Sequence, residues 1–179
     1  MKIIIVSNSR SGSTNLMKSI ASANNLTYIF EPYYKTKVTD VPIGDNVVIK
    51  TLINHMHIDE YKKLIPNFDK VIFLSRMDEL AMAESLVSSM DLGKKWNYDR
   101  KFKAWELPYE YKNTDMERIE KARQFYVLTK FYLNKLAESF DTKVDYYEDI
   151  YLNNMGLHDK TIKLDKKYLS PELRLRKNI

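Results

Sequence analysis

The sequence predicts one α/β domain built on a parallel sheet. Short runs of β-branched and aromatic residues alternate with longer segments whose apolar residues recur at three- and four-residue spacing. Strands that alternate with helices form parallel sheets joined by right-handed crossovers. The chain has 179 residues, 44% apolar and 30% charged, which is enough for one hydrophobic core. We therefore expect residues 1–179 to form a single domain.

The composition argues against several classes of protein. The sequence has no cysteine, which excludes disulfides, thiolate nucleophiles and cysteine-ligated zinc. It starts on a strand-like run without signal-peptide features, and no apolar stretch approaches the roughly 18 residues of a membrane helix. A cytoplasmic protein without membrane contact is expected. The net charge of +5 suits an anionic ligand, but basic residues are scattered among acidic ones, so nucleic-acid binding is not predicted.

The first predicted strand, residues 2–6, leads into a loop that is typical of anion binding. The loop, residues 7–14, reads SNSRSGST and opens a predicted helix over Ser13–Asn24. The helix repeats apolar residues on one face, at Leu16, Met17, Ile20 and Ala23. A strand that stops at a short Gly/Ser turn before a helix points backbone N–H groups at one spot, where the helix dipole adds to them. A tight turn without a ligand is the alternative.

This loop differs from the nucleotide-binding P-loop, G-x-x-x-x-G-K-[ST]. The first glycine is absent, Ser13 takes the lysine position, and Arg10 lies two residues before Gly12. The order Arg-Ser-Gly-Ser-Thr resembles the 5′-phosphosulfate loop of sulfotransferases, (K/R)-S-G-(S/T)-T, which binds 3′-phosphoadenosine 5′-phosphosulfate (PAPS). The resemblance implies that the loop residues hold the 5′-phosphosulfate, namely Ser9, Arg10, Ser11, Gly12, Ser13 and Thr14.

A Glu-Pro pair follows the second predicted strand, residues 26–30. Pro32 is expected to hold Glu31 in extended geometry and to end the strand. Ligands of open α/β sheets bind at the carboxyl ends of strands, so Glu31 should face the same crevice as the loop. Sulfotransferases that act on sugars often carry this pair, and the resemblance implies that Glu31 is the general base. A surface glutamate before a turn proline is the alternative.

Polar residues lie at and beyond the end of the third predicted strand, residues 46–52. Lys50 and His55 are candidates for contact with the substrate. His55 and His57 are two residues apart without a nearby third ligand, a pattern more typical of a loop than of a metal site. We therefore predict no metal.

The fourth predicted strand, Lys70–Ser75, runs into Arg76 and a helix that we expect Gly93 to close. In sulfotransferases an arginine at this strand end and a serine in the helix hold the 3′-phosphate of PAPS. Arg76 and Ser85 correspond to these positions, although they are nine residues apart where the family pattern has eight. An ion pair of Arg76 with Asp78 at the helix start is the alternative.

The remaining chain contains an aromatic insertion, the longest predicted helix and a polar tail. Residues 94–113 alternate aromatic and charged residues, and Trp96 and Trp105 there are candidates for stacking on an acceptor or for packing on the core. A capping box from Thr114 starts a helix that ends near Phe140. A fifth strand is predicted over residues 143–150, where YEDI resembles the Y-E-D-L of sulfotransferases. The tail is residues 151–179.

The resemblance covers about residues 2–150, with its motifs in the family order. It implies a P-loop-like, three-layer α/β/α fold with five parallel strands in order 2-3-1-4-5. It also implies a metal-free transfer of a sulfuryl group from PAPS to a hydroxyl of a small-molecule or carbohydrate acceptor, leaving the product PAP. A nucleotide-binding kinase or NTPase and a non-catalytic PAP-binding module are the alternatives. The acceptor and the oligomeric state are not readable from the sequence.

Overall fold

The computed structural model describes residues 1–34, 43–95 and 115–150, without the side chains of residues 91–95. A five-stranded sheet runs in the order β2-β3-β1-β4-β5, and its neighbouring strands pair in parallel. This topology confirms the predicted fold class and strand order. The strands are β1 (Lys2–Ser7), β2 (Thr27–Phe30), β3 (Val47–Leu52), β4 (Lys70–Ser75) and β5 (Asp145–Tyr146).

Helices cover both faces of the sheet. The helices are α1 (Ser13–Asn24), α2 (Ile58–Leu64), α3 (Glu79–Lys95), α4 (Met116–Glu138) and the single turn α5 (Tyr147–Ile150). Helices α1 and α5 pack on one face, whereas α2 and α4 pack on the other. Helix α3 packs on α4 through a third apolar cluster that includes Met82, Val87 and Tyr126.

The central strand β1 explains why the fold organises around its loop. Ile4 and Val6 belong to the core shared with α2 and α4, whereas Ile3 and Ile5 belong to the core shared with α1. A parallel strand covered on both faces reads as a continuous apolar run rather than an alternating one. Because β1 lies between β3 and β4, the loop that follows it meets the carboxyl ends of both neighbours.

Two predicted element ends are wrong in ways that matter for the site. Strand β5 is two residues long, and Tyr147–Ile150 forms a helical turn instead of continuing the strand. Its partner β4 ends at Ser75, paired with Tyr146, so no further backbone is available for pairing. Helix α3 continues to Lys95 past Gly93. A helix tolerates an interior glycine at about 1 kcal/mol relative to alanine.

Two smaller corrections concern helix faces and caps. Helix α1 buries Ala21 where Ala23 was expected, and Ala23 is exposed. The predicted α4 start at Thr114 is one residue early, because Asp115 is the N-cap and its side chain accepts from the Arg118 N–H. Aspartate satisfies an unpaired helix amide as well as threonine does.

Candidate active site

The loop after β1 has the backbone shape of an anion cradle. Gly12 caps α1 in the left-handed region at φ 76°, and Arg10 is also left-handed at φ 60°. Glycine adopts this region at little steric cost, whereas arginine does so only where its surroundings hold it. The α1 N-terminus has no side-chain cap and no acidic residue in its first turn. The first turn of α1 therefore contains no carboxylate of its own that would offset the helix dipole.

A buried asparagine anchors this loop to the rest of the domain. Asn8 Nδ2 donates to Thr129 Oγ1 of α4 at 2.8 Å, and Asn8 Oδ1 accepts from Ser75 Oγ of β4 at 2.8 Å. Ser11 Oγ donates to the Asn8 carbonyl at 2.7 Å. Buried polar groups satisfied on each side hold a loop in one conformation. Sequence reasoning missed Asn8, since its partners lie 67 and 121 residues away.

Ser9 extends the same anchoring to the next turn of α4. Its Oγ lies 2.7 Å from Tyr126 Oη. Burial raises the pKa of Tyr126 to about 12, and the Ser9 bond and the charge of Arg10 act in the opposite direction. Ser9 therefore acts within the loop as a link to α4, a role that the loop motif does not encode.

Arg10 turns into the protein and meets a neutral partner. Its Nε donates to Ser85 Oγ of α3 at 2.8 Å. Burial lowers the pKa of Arg10 from its ordinary value, but an arginine stays protonated near neutral pH. Among the described side chains, those of residues 1–34, 43–90 and 115–150, no carboxylate lies at ion-pair distance from this guanidinium. The loop thus carries a cation without an internal counter-charge in the part of the chain that is described.

Glu31 lies in a buried charged cluster next to this loop. Its carboxylate pairs with Lys50 Nζ, and its Oε2 lies 3.9 Å from His55 Nε2. The side chain is only 19% exposed, so Glu31 is not the free surface glutamate of the alternative interpretation. The predicted extended geometry is wrong, because Glu31 has φ 47° while its N–H donates to the Lys50 carbonyl at 2.9 Å. The chain turns away from β2 at Glu31, but this backbone bond and the ion pair with Lys50 keep the residue next to β3.

Lys50 connects Glu31 to the loop. Its Nζ also lies 3.4 Å from Thr14 Oγ1 and 4.4 Å from the centre of the Phe30 ring. Burial lowers the pKa of Lys50, the pairing with Glu31 raises it, and the charge of Arg10 lowers it further. A lysine therefore reaches the start of α1 from a neighbouring strand, although the loop itself has none.

His55 lies against the same carboxylate. Burial lowers the pKa of His55, and this outweighs the opposing effect of Glu31. Its Nδ1 is buried without a hydrogen-bond partner among the described residues, and its ring lies 5.1 Å from that of Tyr34. His57 is exposed, and its N–H donates to Glu60 at the start of α2. The residues that the structure describes contain no group of three or more potential metal ligands.

The second predicted phosphate position is arranged differently. Arg76 Nε lies 3.6 Å from Glu148 Oε1, and its guanidinium lies 5.2 Å from the centre of the Tyr147 ring. The Met77 N–H donates to both oxygens of Glu148, at 3.1 and 3.0 Å. The alternative ion pair with Asp78 is not present, since Asp78 Oδ1 instead accepts from the Ala81 N–H. Glu148 is a site residue that sequence reasoning did not assign.

The structure therefore brings the predicted residues together in two groups. One group joins the loop to its neighbours through side-chain contacts and contains Ser9, Arg10, Ser85, Thr14, Lys50, Glu31 and His55. The other joins Arg76 to Glu148. Ser85 Oγ accepts a hydrogen bond from Arg10. The resemblance had implied that Ser85 binds the 3′-phosphate and that Arg10 binds the 5′-phosphosulfate. Trp96 and Trp105 lie outside the described residues.

Comparisons with known proteins add little. No family model and no curated protein matches the chain. Among solved structures, the chain is similar to an unliganded sugar kinase from Janibacter sp. HTCC2649, at 13% identity and a TM-score of 0.29, over 74% of this chain and 96% of that one. This similarity is too low to bear on function.

Among the described residues, no helix has both the length and the apolar character needed to cross a membrane.

Proposed function

We propose that this protein is a sulfotransferase that moves a sulfuryl group from PAPS to a hydroxyl of a small-molecule or carbohydrate acceptor. The observation that carries the proposal is the surroundings of Arg10. It is a partly buried cation at the N-terminus of α1, and its Nε donates to a neutral hydroxyl. A buried charge is costly without an opposite charge, so this position favours an anionic ligand.

The proposed cofactor binds along the carboxyl edge of the sheet. Its 5′-phosphosulfate lies on the loop residues Ser9–Thr14, within reach of Arg10 and of Lys50 Nζ. Its 3′-phosphate is assigned to Arg76, because arginine binds phosphate oxygens bidentately. The sulfotransferase resemblance also implies Ser85 at this phosphate, but here the Ser85 hydroxyl accepts from Arg10 and is assigned to orienting that guanidinium. At Arg76 the phosphate competes with the carboxylate of Glu148.

The transfer step needs a base, a leaving group and charge stabilisation. The acceptor oxygen forms a bond to sulfur while the bond from sulfur to the bridging 5′-phosphate oxygen breaks, and the departing group takes the electron pair. Glu31 takes the hydroxyl proton, which requires an ionised carboxylate within hydrogen-bond reach of the acceptor. Arg10 and the loop amides stabilise the charge that develops on the leaving oxygen.

Lys50 has a specific place in this proposal. It pairs with Glu31 and lies near the hydroxyl of Thr14. On cofactor binding, its ammonium group turns toward the bridging oxygen, and the carboxylate of Glu31 becomes available to the acceptor. The same lysine thereby holds the Glu31 carboxylate in position before binding and stabilises the leaving group afterwards.

The kinase or NTPase alternative has one observation in its favour and one against it. The contact of Lys50 with Thr14 supplies a lysine close to the loop, as a nucleoside triphosphate requires. An NTPase also needs a carboxylate that holds magnesium, and the candidate Asp78, which follows β4, already accepts the Ala81 N–H at the start of α3 through its Oδ1. A kinase also needs Mg²⁺ to neutralise the phosphate charge. Release of labelled γ-phosphate from Mg·ATP would favour this alternative over ours.

A transfer assay tests the proposal directly. We expect label from sulfur-labelled PAPS to reach at least one member of a panel of sugars, phenols and small alcohols, without added Mg²⁺. The Glu31→Gln variant should bind PAP as wild type does but lose about 10²–10⁴ of the rate, because it removes the base and keeps the shape. PAP binding by a wild type that is inert across the whole panel would instead indicate a non-catalytic binding module.

A further inference from the structure

Helix α4 carries an apolar face that points away from the domain core. Its inner face is buried and includes Ile119, Tyr126 and Leu133. On the opposite side, Val127, Leu128 and Phe131 are 55%, 52% and 55% exposed. A contiguous exposed apolar patch on a soluble protein marks an interaction surface more often than a solvated one. This outer face therefore has the chemistry of an interface.

The outer face has the spacing of a helix-pairing seam. Its residues are separated alternately by four and three positions: Glu117, Lys121, Gln124, Leu128, Phe131, Lys135 and Glu138. This is the heptad spacing that keeps one stripe of a helix against a partner helix. The apolar pair lies at the centre of the seam, and charged residues lie toward both ends.

We propose that the outer face of α4 binds the same face of a second copy of this chain, with the two helices antiparallel. A two-fold axis makes the surface self-complementary, so Leu128 of one copy contacts Phe131 of the other and each such contact occurs twice. Lys121 lies seven residues before Leu128, and Glu138 lies seven residues after Phe131. In this register each Lys121 therefore lies opposite a Glu138, and the charges are complementary.

Charge excludes the parallel arrangement of the same seam. A parallel pair would place Lys121 against Lys121 and Lys135 against Lys135, and like charges facing each other are unfavourable. In the antiparallel register Lys135 faces the neutral Gln124. Within one copy, Lys121 pairs with Glu117 at 2.6 Å and Lys135 with Glu138 at 2.9 Å. Exposed pairs of this kind contribute little, so exchanging one for an intermolecular pair costs little.

The proposed interface leaves the candidate active site accessible. The inner face of α4 contacts the loop through Tyr126 and Thr129, whereas the seam lies on the opposite side of the helix. Dimerisation would fix α4 from both sides without covering the loop. The proposal therefore stands independently of the sulfotransferase assignment, and its test involves no ligand.

The first test measures association of the full chain by sedimentation equilibrium. We expect a concentration-dependent dimer, and the Leu128→Glu variant should weaken its dissociation constant by at least about tenfold, because a charge would be buried in an apolar contact. Met90→Glu is the matched control, since Met90 is equally exposed at 52% on α3. Both variants should keep the wild-type circular dichroism spectrum. A wild type that stays monomeric, or a dimer that Leu128→Glu leaves intact, overturns the proposal.

The second test determines the orientation. The chain has no cysteine, so introduced thiols report without background. The Lys121→Cys and Glu138→Cys variants, mixed under mild oxidation, should form a mixed disulfide dimer, whereas neither variant alone should. A disulfide needs Cα atoms about 4.4–6.8 Å apart, which only facing positions satisfy. Efficient self-cross-linking of each single variant, without a mixed product, would show a parallel pair and overturn the proposed register.

Discussion

Arg10 and Arg76 both follow central strands at the carboxyl edge of the sheet, and their surroundings differ in charge. Arg10 donates to the neutral hydroxyl of Ser85, and no carboxylate among the described residues pairs with it. Arg76 lies over the Tyr147 ring and beside the carboxylate of Glu148, which also accepts from the Met77 N–H. The sequence assigned a phosphate to each arginine, but among the described residues only Arg76 has a carboxylate beside it.

The comparison shows that an arginine motif alone does not define an anion site. At Arg76, Glu148 already occupies the place between a guanidinium and a backbone N–H that a phosphate oxygen would take. A ligand phosphate must displace this carboxylate before it binds. At Arg10 the incoming anion displaces no carboxylate of the described residues, so binding there is expected to contribute more of the affinity.

The largest expected effect follows removal of the Arg10 side chain. Arg10→Ala should lower both PAP affinity and the transfer rate, with a loss of about 10²–10³ in rate, because it removes a preorganised donor at the leaving oxygen. Titration calorimetry and the labelled transfer assay measure the two effects. Arg123→Ala on the surface of α4 is the matched control, since Arg123 is exposed and remote from the loop in sequence. If Arg10→Ala bound PAP with wild-type affinity, Arg10 would not be the main anion-binding residue, which would contradict the difference drawn between Arg10 and Arg76.

Substitution of Ser85 tests which of two roles this residue has: binding the 3′-phosphate, as the family resemblance implies, or orienting Arg10, as its hydrogen bond indicates. If Ser85 acts by orienting Arg10, Ser85→Ala should weaken PAP and adenosine 5′-phosphosulfate to the same extent, by about tenfold or less for one lost hydrogen bond. If it binds the 3′-phosphate as the family resemblance implies, only PAP should be affected. We expect equal losses. Parallel titrations of the two ligands decide between the roles.

Removing the carboxylate beside Arg76 should increase affinity. Glu148→Gln keeps an acceptor for the Met77 N–H but removes the charge that competes with a ligand phosphate. PAP should bind about fivefold more tightly, the size expected for loss of one partly exposed ion pair, while adenosine 5′-phosphosulfate should be unaffected. Glu120→Gln on the surface of α4 is the control. A gain of the same size for both ligands would argue against a 3′-phosphate at Arg76.

The smallest expected effect is a change in how the free energy of unfolding depends on pH, and it involves His55, which lies beside Glu31. Burial lowers the pKa of His55 below its ordinary value of 6.5, so the folded state binds fewer protons there than the unfolded state. The free energy of unfolding should therefore fall as the pH is lowered from above 6.5 toward the folded pKa. His55→Gln should reduce this slope, and His57→Gln, an exposed neighbour, should not. Urea titrations across this pH range measure both, and an unchanged slope in His55→Gln would show that His55 is not the group responsible.

Local patterns predicted the parts of the fold that depend on nearby residues. The apolar run of β1, the Gly12 turn and the start of α1 follow from the backbone preferences of a few adjacent residues. The strand order came from the family resemblance, and the sheet confirms it. The predicted end of β5 was wrong because the length of this strand depends on where its partner β4 ends. The residues near position 147 carry no information about that end.

The sequence named candidate members of the site but not the contacts between them. Glu31 and Lys50 were identified separately, whereas their ion pair depends on the register of β2 against β3. Asn8 and Glu148 were missed because their partners lie far away in sequence. Long-range hydrogen bonds between polar side chains leave no periodic pattern, so sequence reading finds such residues only through a known motif.

The most direct test of the central claim is a binding measurement on the wild-type chain with two ligands. Titration calorimetry should detect PAP binding in the absence of Mg²⁺, and this binding should be lost in Arg10→Ala, because the loop cation and the helix amides supply the charge that a metal would otherwise supply. Binding of Mg·ATP together with no binding of PAP would contradict the account and would favour a kinase or NTPase.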